Sequence, residues 1–349
     1  MTHVLVARQD SAGDVLVTGP AIRAVAAGAD QVTLVCGRRG RAAAELLPGV
    51  DALVQHTAPW IDPEPEALRR APTLELVEEL GALELDEAIV FTSFHQSPLP
   101  LALLLRLAGV PRVSAISEDY PGSLLDIRHR PSDELHEVER ALSLAAAAGY
   151  ELPDGDDGRL AVDRPGAEPP VDEPYVVVHP GTSVQARAWP PERHAELVAA
   201  LAGEGRRVVV TGAPDERELT ELVARDGGLD LGGATSLAEL ADVLAHADAV
   251  VVGNTGPAHL AAAVGTPVVS LFAPTVPAGR WCPWGVPLEL LGDQDAPCAG
   301  TRATVCPVPG HPCLCSVTPS DVVAALERLG GVRRAAIGHA RPSMVEAAS

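Results

Sequence analysis

One pattern limits the possible folds of this chain more than any other: short β-branched runs alternate with segments of helical spacing, and this alternation occurs twice. Short apolar runs separated by helices predict parallel strands whose sheet is covered by helices on both faces. In the first half, strands are predicted at 3–8 (HVLVAR), 31–36 (QVTLVC) and 88–92 (AIVFT), with helices over about 14–27 and 99–109. This half is therefore expected to form a doubly wound α/β domain.

The second half repeats the pattern. Strands are predicted at 175–179, 206–212, 248–252 and 267–272, and helices at 191–203, 215–225, 236–246 and 257–264. The intervening stretch 153–174 is dense in Pro, Gly and Asp and lacks apolar periodicity, which indicates a linker. The predicted organisation is a first domain (1–155), a linker (156–174), a second domain (175–318), a final helix (319–332) and a flexible tail (333–349).

Length and charge narrow the functional classes. The chain has 349 residues, more than one hydrophobic core usually supports, and a formal net charge of −21. Such a charge disfavours nucleic-acid binding, because the phosphate backbone would repel the protein. No apolar run approaches the roughly 20 residues of a membrane span, and the first residues lack the basic segment of a signal peptide. We therefore predict a cytoplasmic protein without a transmembrane segment.

Four polar loops follow predicted strands and open into helices, at 8–24, 179–194, 212–218 and 253–267. Ligands of open parallel sheets bind beyond the carboxyl ends of the strands, where such loops lie. The four loops are therefore the candidate ligand-binding elements of the two domains.

The loop GNTGPAHLAAAVGTP (253–267) has the composition of a diphosphate site. Gly253 and Gly256 allow the backbone to approach a ligand closely, and the start of the following helix offers free amides together with Thr255 and His259. The alternative is a tight turn in which Asn254 and Thr255 cap the helix and His259 is packed or solvated.

Four segments in order together resemble glycosyltransferase family nine, the heptosyltransferase family. They are VLVARQDSAGDVLVTGPAIRAV at the start of the chain, HPGTSVQARAWPPERH, GAPDERE, and LGGATSLAELADVLAHADAVVVGNTGPAHLAAAVGTPVVSLFAPT. The resemblance implies a GT-B architecture, in which two Rossmann-like domains face each other across a cleft. It also implies that the second domain binds a nucleotide-diphosphate sugar, typically ADP-heptose, and that the first domain presents the acceptor. In the family the final helix commonly crosses back to the first domain, and transfer inverts the anomeric centre without a metal or other cofactor.

The resemblance assigns catalytic roles to two residues. Asp14 matches the Gly-Asp position of the family and is the candidate general base for the acceptor hydroxyl. Arg187 stands where the family usually has lysine, and its charge would neutralise the departing diphosphate. Because all 26 basic residues of this chain are arginine, the exchange agrees with its composition. The alternatives are an Asp14 that only caps the first helix and an Arg187 that lies on the surface.

The remaining site residues follow by the same matching. Asn254 replaces the usual aspartate, which puts the identity of the donor sugar in question. The other expected donor-binding residues are Thr182, Ser183, Glu216, Thr255, Gly256, His259 and Arg280. The expected acceptor or cleft residues are Arg8, Ser11 and Gly13.

Other interpretations remain open. The same folds and loops would serve a GT-B nucleotide-sugar epimerase or a non-catalytic nucleotide-sugar-binding protein. The acceptor is expected to be either a glycolipid or a soluble small molecule, and the acidity of the chain favours a soluble, cationic one. Four of the six cysteines fall within 298–315 without the C-x2-C pairs of structural zinc sites, so a local structural role is predicted for them.

Overall fold

The structure is a computed structural model, and it describes the backbone of residues 1–339 and the side chains of residues 1–330. Two six-stranded sheets, each with every strand parallel to its neighbours, form the centres of two successive domains. The first sheet contains β1 (His3–Arg8), β2 (Gln31–Cys36), β3 (Ala52–Gln55), β4 (Glu87–Val90), β5 (Arg112–Ile116) and β6 (Ile127–His129). The second contains β7 (Tyr175–His179), β8 (Arg207–Gly212), β9 (Gly228–Gly232), β10 (Ala249–Gly253), β11 (Val268–Leu271) and β12 (Leu288–Leu291).

Helices cover both sheets. Those of the first domain are α1 (Ala12–Gly28), α2 (Arg41–Ala44), α3 (Arg70–Ala82), α4 (Leu99–Leu107) and α5 (Glu137–Ala148). Those of the second domain are α6 (Pro191–Gly203), α7 (Arg217–Ala224), α8 (Leu237–His246), α9 (Gly256–Ala263), α10 (Ala278–Trp281), α11 (Pro312–Cys315) and α12 (Pro319–His339). Short 3-10 turns lie at Gln185–Arg187 and Pro214–Glu216.

The strand order is the same in both domains. The first sheet runs β3-β2-β1-β4-β5-β6 and the second runs β12-β11-β10-β7-β8-β9, so each domain has the order 3-2-1-4-5-6 when its own strands are numbered. This order has a reversal between its first and fourth strands, and ligands bind in the crevice beyond the carboxyl ends of those strands. The predicted α/β class with two Rossmann-like domains is confirmed. The reversal points lie above β1 and β4 in one domain and above β7 and β10 in the other.

The two domains share buried apolar surface. Helix α1 packs against α9, and one cluster of buried side chains includes Leu16 of the first domain and Leu260 of the second. Small residues allow this close approach, since a Cβ added to Gly256 would lie 3.8 Å from the Cβ of Ala12. The amino-terminal ends of α1 and α9 therefore meet at the floor of the space between the domains.

The segment predicted as a linker has no regular secondary structure across its described length, 156–174, but it is bonded to both domains. Asp156 accepts hydrogen bonds of 2.6 and 2.8 Å from the guanidinium of Arg23 on α1. Arg164 donates one of 2.6 Å to the buried carboxylate of Asp242 on α8. The polar residues of this stretch therefore fasten it to the domain surfaces.

Helix α12 differs from the expectation in two respects. It continues to His339, past the predicted end of the final helix at 332 and into the predicted tail; residues 340–349 lie outside the described residues. Its described side chains pack in the core of the second domain, with Val322 and Leu326 buried and Arg328 paired with Glu289 of β12 at 2.7 Å. The expected crossing back to the first domain does not take place within residues 319–330, because the apolar face of the helix is covered by its own domain.

The cysteines within 298–315 are free thiols. Cys298 and Cys313 are buried in the core of the second domain, and burial together with the nearby Cys298 raises the pKa of Cys313 to about 12. Among the described residues, no group of three or more Cys, His, Asp or Glu side chains is arranged to hold a metal ion. Nor does any helix in the described part combine the length and the apolar character needed to cross a membrane.

Candidate active site

A cleft of about 620 Å³ lies where the reversal points of the two sheets face each other. This volume is within the range of ordinary ligand pockets. The first domain lines it with the loops that follow β1, β2, β3 and β4, and the second domain lines it with the loops that follow β7, β8, β10, β11 and β12. Of the predicted residues, those lining the cleft are Ser11, Gly13, Asp14, Ser183, Arg187, Asn254, Thr255, Gly256 and His259.

Arg8 organises the half of the cleft that belongs to the first domain. It ends β1, its side chain is only 2% exposed, and its guanidinium contacts two carboxylates that line the cleft. Nε lies 2.9 Å from Oδ2 of Asp10, and Nη2 donates hydrogen bonds of 2.9 Å to Oδ1 of Asp14 and to Oγ of Ser93. The predicted contact of Arg8 with a ligand is therefore indirect, because the side chain is buried beneath the carboxylates that line the cleft.

Asp14 makes two sets of contacts in the structure: it pairs with Arg8, and it caps the start of α1, which is the role considered as the alternative. Its Oδ2 accepts hydrogen bonds from the backbone N of Ser11 at 3.2 Å and from Oγ of Ser11 at 2.6 Å, which closes the start of α1. Burial would raise the pKa of Asp14, but the charge of Arg8 and the Ser11 hydrogen bonds outweigh it and lower the pKa. Asp14 is thus an ionised carboxylate that faces the cleft, held in one orientation.

Asp10 is a second acidic residue at this site, and the sequence analysis did not identify it. Ser93 donates to its Oδ2 at 3.3 Å, and the Gln96 amide donates to its Oδ1. Burial raises the pKa of Asp10 to about 6; the charge of Arg8 works against this rise and the nearby Asp14 adds to it. Its position directly after β1 was the available signal, since side chains at that place line the cleft.

Beneath these residues lies a buried ion pair, also missed in the sequence. Glu137, 1% exposed, opens α5 and lies 3.6 Å from Arg140 and 4.0 Å from Arg8. Burial raises the pKa of Glu137, and Arg140 donates a hydrogen bond of 2.6 Å to the carbonyl of Thr92. These residues fix Arg8 from below. No local motif marks them, because α5 is far from β1 in the sequence.

The second domain contributes the start of α9, as the sequence predicts. Thr255 caps this helix in an extended conformation, and His259 in its first turn is 4% exposed. A Cβ added to Gly13 would lie 3.0 Å from Cδ2 of His259 and 3.4 Å from Cα of Gly256, so the two domains touch at this point. Burial lowers the pKa of His259 to about 4, so the imidazole is neutral at physiological pH.

Arg187 lies beside this helix start, not on the outer surface. Its Nη1 donates a hydrogen bond of 3.4 Å to the backbone oxygen of Asn254, whose side chain is buried and has an Nδ2 without a partner among the described residues. Burial lowers the pKa of Arg187, Asp14 partly offsets this effect and Arg302 adds to it. Among the described residues Arg187 forms no ion pair within 4 Å, and Asp14 acts on its charge only from a greater distance. Arg302 also lines the cleft and was not identified from the sequence.

Thr182 and Glu216 lie farther out on the second domain. The Thr182 hydroxyl is engaged with its own loop, where it accepts a hydrogen bond of 3.3 Å from the backbone N of Val184. Glu216 accepts one of 2.8 Å from the N of Ala213, and its carboxylate fills the space where a side chain at Gly181 would lie. Glu216 therefore packs against the loop that follows β7 and does not line the cleft.

Arg280 is directed away from the predicted diphosphate contacts. Its guanidinium donates to the backbone oxygen of Asp133 in the first domain and lies 4.6 Å from the centre of the Phe94 ring. Nearby, Trp284 stacks on His136 with ring centres 4.6 Å apart. Helix α10, which carries Arg280, and the residues that follow it thus contact the first domain, and the structure does not bring Arg280 together with Arg187 and His259.

The sequence pattern described as "Glycosyltransferase family 9 (heptosyltransferase)" matches residues 73–310, about two-thirds of the chain. The chain belongs to glycosyltransferase family 9. The matched range contains Arg187, Asn254 and His259. It begins after the loop of Arg8 and Asp14, but it includes the loop after β4 with Ser93, so the match covers part of both sides of the cleft.

This family 9 protein is similar in sequence to bacterial heptosyltransferases. It is 35% identical to lipopolysaccharide heptosyltransferase 1 of Pseudomonas aeruginosa over 227 residues, and this alignment covers 60% of this chain and 61% of that protein. It is 28% identical to lipopolysaccharide heptosyltransferase 1 of Escherichia coli O18:K1:H7 over 330 residues, and this alignment covers 88% of this chain and 92% of that protein. The first alignment thus spans about three-fifths of the relative, and the second includes most of both chains.

Solved structures share the fold. A glycosyltransferase family 9 protein from Veillonella parvula superposes with a TM-score of 0.75 at 17% identity, covering 95% of this chain and 97% of that one. An Escherichia coli heptosyltransferase with ADP-2-deoxy-2-fluoro heptose superposes with a TM-score of 0.70 at 24% identity, covering 94% and 99%. The family 9 protein described here therefore has the GT-B fold of these structures.

Proposed function

We propose that this protein is an inverting, metal-independent glycosyltransferase that moves heptose or a related sugar from a nucleotide-diphosphate donor to an acceptor hydroxyl. ADP-heptose is the first choice of donor, because the Escherichia coli structure that shares the fold was solved with an ADP-heptose analogue. Asp14 is the proposed general base, and Arg187 the proposed cation for the leaving group.

The observation that carries the proposal is the meeting of the two domains at Gly13. The residue next to Asp14 lies against His259 and Gly256, so a carboxylate of one domain is close to the helix start of the other. The second domain lines the cleft with Arg187 and Arg302 and with no carboxylate, among the residues described. An anion is therefore favoured on that side and a proton acceptor on the other.

The proposed step needs no group beyond these. The acceptor oxygen forms a bond to the anomeric carbon from the side opposite the diphosphate, which inverts the centre. Its proton passes to Asp14, which is ionised and so able to accept it. The bond from the anomeric carbon to the diphosphate breaks and its electron pair stays on the diphosphate oxygen, beside the charge of Arg187.

Two acceptor classes are supported by different observations. The relatives are named for lipopolysaccharide, which favours a glycolipid. The acceptor side of the cleft is lined by the carboxylates of Asp10, Asp14 and Asp62 against the guanidiniums of Arg38 and Arg39, and Arg38 is paired with Asp62 at 3.4 Å. This excess of one carboxylate favours a neutral or cationic soluble molecule. With the net charge of the chain, the second observation leads us to propose a soluble acceptor. Transfer solely to anionic, lipid A-like molecules in an acceptor screen would refute this choice.

The test of the reaction is Asp14→Asn. We expect ADP affinity to stay within a few-fold of wild type and sugar transfer to fall by at least 100-fold, since general-base catalysis typically contributes that much. Asp119→Asn, at an exposed position away from the cleft, is the matched control and should keep both properties. Unaltered transfer in Asp14→Asn would remove this residue from the mechanism, and a wild-type protein that binds a nucleotide sugar without transferring or epimerising it would favour the non-catalytic alternative.

A further inference from the structure

Arg302 is a cation of the cleft that neither the family match nor the sequence motifs single out. It lies between β12 and α11, and its φ of 56° is in the left-handed region that residues other than glycine seldom occupy. The backbone is held there by hydrogen bonds of 2.8 Å from Arg302 N to the oxygen of Thr275 and 2.9 Å from Gly300 N to the oxygen of Pro274. A conformation of this kind persists only where its surroundings fix it.

The loop of Arg302 is also tied to the turn that carries Arg187. The backbone N of Ala186, next to Arg187, donates a hydrogen bond of 2.9 Å to the oxygen of Thr304. The two arginines are therefore presented by one connected unit of the second domain. Both line the same cleft.

The charge of Arg302 is not neutralised by the protein. Within the described residues it forms no ion pair with a carboxylate, although the chain has 47 acidic residues and only 26 basic ones. Its Cζ lies 5.6 Å from the centre of the Phe94 ring, a contact that attracts a cation but supplies no opposite charge. Burial together with the charge of Arg302 lowers the pKa of His95 to about 4, which agrees with a positive potential here.

Arg280 makes a useful comparison, since it contacts the same ring. Arg280 lies 4.6 Å from the Phe94 centre and is paired at 3.4 Å with Asp133 of the first domain, so its charge is neutralised by a carboxylate. Arg302 has the ring without the carboxylate. The charge of Arg302 lowers the pKa of Arg187, so the two guanidiniums that line the cleft repel each other, and an anion bound between them relieves that repulsion.

We propose that Arg302 is a second diphosphate-binding residue, which grips the donor opposite Arg187 and stabilises the charge that develops on the leaving group. The proposal rests on the proposed function. Because Phe94 belongs to the first domain, the Arg302 guanidinium lies towards the acceptor side of the cleft, and we therefore assign it to the phosphate that carries the sugar. That phosphate gains one negative charge when the bond to the anomeric carbon breaks, and a planar guanidinium can donate two hydrogen bonds to it.

The experiment is calorimetric titration of ADP and AMP into wild-type protein, Arg302→Ala and Arg302→Lys, with Arg225→Ala as the control. Arg225 is an exposed arginine of the second domain outside the cleft. Loss of a charge-assisted contact predicts about 10- to 100-fold weaker ADP binding in Arg302→Ala, a smaller loss for AMP, and an intermediate result for Arg302→Lys. Arg225→Ala should bind as wild type does.

The outcomes separate this proposal from the proposed function. If wild-type protein binds ADP and Arg302→Ala binds it within two-fold, the role of Arg302 is refuted and the proposed reaction stands. Equal losses for ADP and AMP would also refute it, because the contact would then not involve the outer phosphate. If the wild type binds none of ADP, GDP, UDP or dTDP, the nucleotide-diphosphate donor itself is refuted, and the role of Arg302 falls with it.

Discussion

Substitution of Gly181 by alanine tests whether Glu216 takes part in nucleotide binding. Gly181 follows β7, and a Cβ at this position would overlap both carboxylate oxygens of Glu216. Gly181 is not among the residues of positive φ, so its backbone accepts alanine and the clash is the whole perturbation. To reach ordinary contact distance, the carboxylate must move by more than about 1 Å.

The size of the effect follows from the contacts that move. Glu216 would give up its 2.8 Å hydrogen bond with the N of Ala213, which costs about 1 kcal/mol of unfolding free energy as a lost helix cap. If Glu216 binds the nucleoside, as the family resemblance implies, its displacement also removes hydrogen bonds to a charged group of about 1.5–3 kcal/mol. The affinity for ADP should then fall by about 10- to 100-fold.

The assay is ADP binding by Gly181→Ala, by Glu216→Ala and by the double variant. Both single variants should bind ADP more weakly, and the double variant should be no weaker than Glu216→Ala alone, because its methyl group meets no carboxylate. Gly203→Ala, where an added Cβ meets none of the described atoms within 4 Å, is the matched control. Effects that add in the double variant, or an unchanged affinity in Gly181→Ala, would contradict the reasoning.

Two further predictions concern the floor of the cleft. Gly13→Ala places a Cβ 3.0 Å from the His259 ring, so the contact must widen by a few tenths of an ångström. We expect a folded protein that is about 1 kcal/mol less stable to urea and whose transfer rate falls at least ten-fold. An unchanged rate would show that the contact is not critical. Burial raises the pKa of Asp10 to about 6, so between pH 4 and 6 the folded state holds a proton there that the unfolded chain releases, and the free energy of unfolding contributed by this residue falls as the pH rises. Asp10→Asn should therefore flatten that dependence in urea titrations between pH 4 and 7, and a slope identical to wild type would contradict the raised pKa.

The central strands were predictable because their own residues specify them. HVLVAR, QVTLVC and YVVVH are short runs rich in valine and leucine, and the structure forms strands with these bounds at His3–Arg8, Gln31–Cys36 and Tyr175–His179. The strands IRH and GLDLG, at Ile127–His129 and Gly228–Gly232, were not predicted. They lie at the sheet edges and take their extended conformation from pairing with a neighbour, which no short stretch of sequence reveals.

The residues of the candidate site also divide into those that a local sequence pattern marks and those that only the fold brings together. Asp14 and His259 lie in the first turns of α1 and α9, just after strand-to-helix loops whose local pattern of glycines and polar groups makes them predictable as candidates. Glu137 and Arg302 become part of the site only when distant segments meet, and Asp10 was overlooked beside a stronger motif. Arg280 was assigned from the resemblance, and its pairing with Asp133 depends on a loop of the other domain that the local motif does not contain.

The contact between α1 and α9 has a consequence for how substrates enter and leave. Buried apolar side chains such as Leu16 and Leu260 join these helices, and separating them would expose that surface to water at a cost of about 25 cal/mol per Å². The floor of the cleft is therefore the part least able to open, and under the proposed function we expect the nucleotide to enter and leave at the rim, where Phe94 contacts Arg280 and Arg302. The rate at which spent nucleotide escapes would then depend on how quickly those rim side chains part.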